Sequence, residues 1–264
     1  MYGKNGRRTW HPSSVRRSRS DQVTPPPAFS GEVPGSWFVI ERVGDAAELT
    51  APIGHTDGSP AQRTAVICRP TSGALVLGSS QPAADFDEAR CAAASLAVVR
   101  RRSGGGAVLV RPASQVWIDF FVPRNDPLFV QDVLQSFGFI GALWASALRA
   151  TRSVTGQGPI AIAPAVKAEP SVWSRLLCFG ALGASEVTLG GRKVVGMSQR
   201  RDRTGAWFHS MALLELNASE LAGLLTDADL RERAAEWLTS FAAAVPGGKA
   251  VGADLAAAVV AQLP

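Results

Sequence analysis

Arg100-Arg101-Arg102-Ser103-Gly104-Gly105-Gly106-Ala107-Val108 sets three bare residues between an arginine cluster and an apolar run. Without a Cβ, the backbone at Gly104 to Gly106 is free to take positive φ and to approach a ligand closely. Arginine beside exposed amides forks onto a phosphate or a carboxylate. Together these suit an activated acyl group, an adenylate or a thioester, better than a metal. Taken alone, the stretch reads equally as a glycine-rich hairpin with a solvated basic edge. A second stretch follows: Gly190-Gly191-Arg192-Lys193-Val194-Val195-Gly196-Met197-Ser198-Gln199-Arg200. Gly190-Gly191 fits a two-residue hairpin turn that leads into a strand bearing a lysine.

Outward from these two stretches, the pattern is one of short strands interrupted by helices. Thr64 to Cys68 and Ala74 to Leu77 are apolar runs separated by Pro70 and Gly73, which suggests a hairpin. Asp85 is placed to cap a helix with Phe86, Ala89, Ala93 and Leu96 on one face. Leu96 to Val99, Ala107 to Val110 and Gln115 to Val122 read as strands. Pro127 opens the strongest helical pattern, with Val130, Val133, Leu134, Phe137, Ile140, Leu143, Trp144, Ala147 and Leu148 at helical spacing. Residues 172–179, 186–189, 193–199 and 206–216 run or alternate as strands do. After Asn217 the chain is alanine-rich, with Asp and Glu interspersed, as in short helices. Without a regular strand–helix rhythm the expectation is an α+β fold, mixed and antiparallel sheets packed with helices.

Composition narrows the partners. The 264 residues carry a net charge of +5, but the excess is local. Of the 27 Lys and Arg and 22 Asp and Glu, six and one respectively fall within residues 1–30. The remainder is balanced, so no case for nucleic-acid binding follows. Residues 1–33 are basic and end near Pro25-Pro26-Pro27, the signature of a disordered tail. No apolar run is long enough to span a bilayer, and no export-type segment opens the sequence, so a reducing cytoplasm is expected. Cys68, Cys91 and Cys178 lack CxxC spacing, so neither a disulfide framework nor a metal site follows.

The two glycine-containing stretches resemble, in order and spacing, the RRxSGGGAV and G-[RK]-K-[IV]-x-G-S-[AQ] motifs of the lipoate–protein ligase A family, over about residues 64–216. The resemblance implies a biotin/lipoate ligase-like (class II synthetase-like) catalytic domain across 34–216, with 217–264 as a C-terminal helical segment. It implies that Arg101, Ser103, Gly104, Gly105, Gly106, Ala107, Val108 and Leu109 bind ATP or the acyl group. Lys193 matches the family's essential lysine, placed to stabilise charge at the ligand's carboxyl end. The implied reaction joins lipoate or octanoate to a lysine through an ATP-derived acyl-adenylate, with Mg²⁺ accompanying ATP. The implied acceptor is a lipoyl carrier domain or a glycine-cleavage H-type protein.

Departures open alternatives. Val110-Arg111 stands where the family's ligases usually have a histidine, and Ser185-Glu186 where they show an N-D pair. Cys178-Phe179-Gly180-Ala181-Leu182-Gly183-Ala184-Ser185-Glu186-Val187 resembles the C-F-x-A-x-x-x-x-E-[IV] segment of cysteine-type octanoyltransferases. There the cysteine takes the octanoyl group from acyl carrier protein and passes it to a lysine, without ATP. A thiolate is a good acyl acceptor, and a nearby ammonium favours it. A buried, inert Cys178 is the plain alternative. A non-catalytic acyl- or nucleotide-binding protein is the third reading. Ser198, Gln199 and the Phe208-His209-Ser210 strand are weaker site candidates.

Overall fold

Alternation along one long strand sets the architecture. In β7 (Gln115–Pro123) the side chains of Val116, Ile118, Phe120 and Val122 belong to one buried cluster, while Trp117 belongs to another on the opposite face. The strand is therefore covered on both sides. The computed structural model describes residues 37–51, 62–167 and 169–264, together with the backbone of 8–9. Most of the expected tail, 1–33, lies outside the described residues. Arg8 and Thr9 pair with Glu41 and Ile40.

The large sheet has eight strands. Their order is β1 (Arg8–Thr9), β2 (Phe38–Gly44), β3 (Thr64–Pro70), β7, β11 (Gly205–Leu213), β10 (Arg192–Arg201), β9 (Val187–Leu189) and β8 (Ile160–Ile162). A second sheet orders β5 (Ala97–Arg100), β4 (Ala74–Leu77) and β6 (Val108–Val110). Among the strand pairs of the described residues, only β2–β3 and β4–β5 are parallel. One face of the large sheet packs against α3 (Gly138–Ala150) and α7 (Gly252–Val260). The other faces the small sheet, α4 (Val172–Leu176), α5 (Ala218–Gly223) and α6 (Ala228–Phe241). Two further α-helices are short, α1 (Ala46–Thr50) and α2 (Glu88–Ala93). The C-terminal helices enter both clusters, through Leu221 and Leu238 on one side and Leu255 and Val259 on the other. No helix among the described residues is long and apolar enough to cross a membrane.

The α+β expectation holds, and four local expectations do not. The long helix begins at Gly138, not Pro127, after a 3₁₀ turn at Gln135–Phe137. Asp132 accepts from the N–H groups of Leu134 and Gln135, both at 2.8 Å. Arg201 binds the carbonyls of Val130 and Gln131, each at 2.7 Å. Backbone groups that a helix would have used are thereby committed elsewhere. The runs at 64–68 and 74–77 form no hairpin: β3 and β4 belong to different sheets. Thr71 N still donates to Gly44 O, so the chain follows β2 beyond Pro70 before crossing over.

Residues 172–179 form α4 and the start of a 3₁₀ turn at Cys178–Gly180 where a strand was expected; only Leu177 between them is extended, bridged to Ala107. A reciprocal capping box between Ser171 and Ser174 starts this helix and outweighs the strand-like apolar run. The cap of α2 is Asp87, whose carboxylate accepts from Arg90 N, while Asp85 instead pairs with Arg175.

Candidate active site

The glycine turn is held open by its own arginine. Arg101 is 5% exposed and donates to Gly104 O at 2.6 Å, Gly106 O at 3.0 Å, Val76 O at 3.3 Å and Ser103 Oγ at 3.1 Å. Gly105 takes φ +97°, a conformation only glycine adopts freely. Ser103 Oγ reaches Ser198 Oγ on β10 at 2.9 Å. Gly106 lies so near the start of the cysteine segment that a Cβ there would be 2.5 Å from Leu177 N. Ala107 N then donates to Leu176 O at 2.9 Å, and Cys178 N donates to Ala107 O at 2.8 Å. Three stretches far apart in sequence thus meet at one place.

Lys193 completes the convergence from beneath. It is 2% exposed, at a bulge in the β9–β10 pairing. Its ammonium donates to Cys178 O at 2.6 Å, Ala181 O at 2.8 Å and Glu186 Oε2 at 2.6 Å, which engages all three N–H groups. Glu186 also accepts from Gly183 N at 2.6 Å and Met197 N at 2.8 Å. A buried ion pair of this kind holds its geometry only when both partners are saturated with hydrogen bonds, as here. Its effect is to pin the Cys178–Ala181 turn to β10.

Above the pin lies an apolar cavity that opens to solvent. Its floor is one face of the large sheet, read off by register. Gly196 pairs with Met211 and Met211 with Trp117, while Ser198 pairs with His209 and His209 with Asp119. Val76, Val108 and Val110 of the small sheet form the opposite wall, with Arg101, Cys178 and Phe179 also lining the cavity. A Cβ on Gly196 would sit 3.3 Å from Cys178 Sγ and 3.1 Å from the Phe179 ring, so the bare position leaves room in front of the thiol. Burial pushes the Arg101 guanidinium below its ordinary range, and the neighbouring Cys178 thiol acts in the opposite direction. A narrow apolar slot with few polar groups fits a hydrocarbon chain that carries one reactive end.

His209 and Asp119 mark the polar end. His209 Nδ1 lies 2.7 Å from Asp119 Oδ2, and Trp117 Nε1 donates to Asp119 Oδ1 at 2.6 Å. Thr50 and His209 are shared with a second cavity, whose wall also carries Arg42, Arg102, Arg200, Asp119 and Asp202.

Of the residues singled out from sequence, Arg101, Val108 and Cys178 line the apolar cavity, as do Ser198 and His209. Ser103, Gly106 and Ala107 build its rim through backbone and hydroxyl contacts, and Gly104 and Gly105 are exposed. Leu109 points instead into a separate hollow with Leu213 and Leu221. Lys193 lies behind Cys178 and is absent from the cavity lining. Cys68 and Cys91 are buried away from it, and burial pushes both thiols up. Sequence reasoning missed Asp119 and Trp117, although a carboxylate in an apolar strand was a usable signal. Glu186 was quoted in a motif without its role.

Sheet, glycine turn and slot together define an α+β catalytic fold of the lipoate ligase type. The Lipoyl protein ligase A/B catalytic domain matches residues 53–246, and the chain belongs to that family. Octanoyltransferase LipM of Moorella thermoacetica is 30% identical over 130 residues, 49% of this chain and 45% of that enzyme. The match thus spans about half the length of that relative. A bi-partite lipoate protein ligase of Thermoplasma acidophilum, described with its E2 lipoyl domain, shares the fold. Its TM-score is 0.62 at 15% identity, over 86% of this chain and 81% of that one. Lipoate-protein ligase A bound with ATP gives 0.51 at 13% identity, over 86% and 94%.

Proposed function

We propose that the protein transfers an octanoyl or lipoyl group to a lysine of a lipoyl carrier domain, with Cys178 as the thioester-forming nucleophile. The observation that carries this is the position of the Cys178 thiol: in the wall of an apolar slot, facing bare Gly196 and beside the Arg101 guanidinium. Arg101 spends its donors on the loop and Lys193 spends its own on Cys178 O, Ala181 O and Glu186. Both therefore act as positioning groups that fix the glycine turn and the Cys178–Ala181 turn around the sulfur. The 30% identical relative is an octanoyltransferase, which supports the same reading. Donor thioester and Cys178 exchange acyl for proton. The carrier lysine then takes the acyl group from sulfur. An acyl carrier protein would present the donor and a lipoyl carrier domain, or a glycine-cleavage H-type protein, the acceptor.

A second reading, ATP-dependent ligation through an acyl-adenylate, is favoured by the neighbouring cavity. Its Arg42, Arg102 and Arg200 would suit the phosphates of ATP. The experiment that separates the readings gives purified protein either octanoyl carrier protein, or lipoate with labelled ATP, each with a lipoyl domain. The thioester route predicts an acyl mass adduct on Cys178, modified carrier without ATP, and loss of both in Cys178→Ser. AMP release with lipoate, surviving Cys178→Ser, selects the ligase. Ligand binding with no modified carrier from either donor selects a silent binding protein.

A further inference from the structure

Transfer to a lysine needs a group that removes a proton, because the acceptor arrives as an ammonium and attacks as an amine. Lys193 presents no lone pair to the cavity, since its three N–H groups are donated to Cys178 O, Ala181 O and Glu186. Arg101 does not deprotonate in proteins. Among the residues lining the apolar cavity, where the thioester lies, this leaves His209. Asp119 is acceptor-only when ionised, and it already receives Trp117 Nε1–H on one oxygen. The 2.7 Å contact to its other oxygen therefore places the imidazole proton on Nδ1. Nε2 is then the acceptor, and it has no partner among the described residues. The ring is not sealed in: the side chain is 16% exposed and forms part of both cavities.

We propose that His209 is the base that takes the proton from the incoming lysine, with Asp119 as the residue that positions it. This rests on the acyl-transfer reading above. The two cavities give the step its geography. The acyl chain and Cys178 occupy the apolar side, the acceptor lysine comes through the polar side, and His209 stands in the wall they share. Acyl–S–Cys178 and R–NH₃⁺ become R–NH–acyl, HS–Cys178 and one free proton. The C–N bond forms as the C–S bond breaks. Of the two protons that leave nitrogen, one passes through His209 Nε2 to solvent and the other ends on Cys178 Sγ.

Several charges face this imidazole. On the polar side these are Asp119 from β7, Arg200 and Asp202 from β10 and the turn after it, Arg102 from the glycine turn, and Arg42 from β2. Arg101 and Cys178 face it from the apolar side. Any pH profile is a property of this set together.

The test starts from enzyme loaded with octanoyl on Cys178 and follows single-turnover transfer to a lipoyl domain across pH. His209→Asn keeps an amide donor where Nδ1 meets Asp119 but removes Nε2. Loading of Cys178 is expected to stay within about twofold, while transfer falls roughly 100-fold or more. The inflection of the wild-type rate–pH curve disappears, and added imidazole restores part of the rate. Asp119→Asn, whose fold is checked by thermal melting alongside, slows transfer in the same sense with loading intact. Equal transfer rates in wild type and His209→Asn overturn the base. So does a parallel loss of loading and transfer, which is what a merely structural role gives. A wild type that never carries an adduct overturns the thioester reading itself, and the base with it.

Discussion

The two faces of the β7–β11–β10 sheet are made by the same strands and do opposite things. On one, Ile118, Phe120 and Phe208 are fully or almost fully buried under α3 and α7. The polar group there, Ser210, is satisfied: Trp144 Nε1 donates to its Oγ at 2.9 Å. On the other face, one residue out of register, stand Trp117, Asp119, His209, Ser198 and Gly196. That face trades close packing for a cavity, a carboxylate–imidazole pair and a glycine where a side chain would have filled the space. Because side chains alternate along a strand, a single sheet separates what holds the protein together from what it works with. Changes on the sealed face should alter stability and leave chemistry intact, and changes at the cavity should do the reverse.

Lys193 is the strongest challenge to that division, since it is buried in structural contacts yet holds the turn that carries Cys178. Lys193→Met leaves Glu186 buried without its cation, and breaking such a pair costs about 3–5 kcal/mol. A large drop in melting temperature is expected, together with loss of acyl transfer. Adding Glu186→Gln removes the uncompensated charge. The double variant should recover much of the stability and none of the transfer. Recovery of both would mean that the lysine is only a structural pin. Persistent instability would mean that its contacts to Cys178 O and Ala181 O outweigh the ion pair.

How much of this could be read beforehand follows the same division. The α+β class and most strand positions were visible, because β7, β10 and β11 carry long apolar or alternating runs. Arg101, Cys178 and Lys193 were visible because glycine, cysteine and lysine stood at motif spacing. What sequence could not supply was which backbone groups were already engaged. Arg201 claims the carbonyls before α3, so the helix begins at Gly138 and not at Pro127. Ser171 and Ser174 cap each other, so the cysteine lies on a helical turn where a strand was expected. The arginine expected to contact ligand folds the glycine turn, and the lysine expected to touch it grips the turn behind Cys178. The Asp119–His209 pair joins residues 90 apart, brought level only by the β7–β11 register.

On the sealed face a mild truncation gives the matching control. Ile118→Val removes one methyl group from a site with no exposure. Such a change costs about 0.5–1.5 kcal/mol. Chemical denaturation should register that loss, while transfer per folded molecule stays at the wild-type rate. A slowed transfer would show that packing beneath the sheet is transmitted to the cavity, and the two faces would then not be independent.

The three thiols give an effect that is small at neutral pH and grows only in alkali. Burial pushes the Cys68 thiol well up, with Asp119 adding to it and Arg42 and Arg69 opposing, and burial raises Cys91 as well. Both therefore stay protonated in the folded protein at a pH where an unfolded chain, with cysteines near about pH 8.5, has begun to lose protons. The unfolded state then binds fewer protons than the native one, so unfolding becomes easier as pH rises above that value. For each such thiol the slope approaches about 1.4 kcal/mol per pH unit. Denaturation between pH 7.5 and 10 should show stability falling, with Cys68→Ala flattening part of the slope. In the native state a small alkylating reagent should reach Cys178 through the cavity and leave Cys68 and Cys91 untouched until the chain unfolds. Labelling of Cys68 at the rate of Cys178 would mean that the interior opens as readily as the site, and the contrast between closed and working regions would fail at its weakest point.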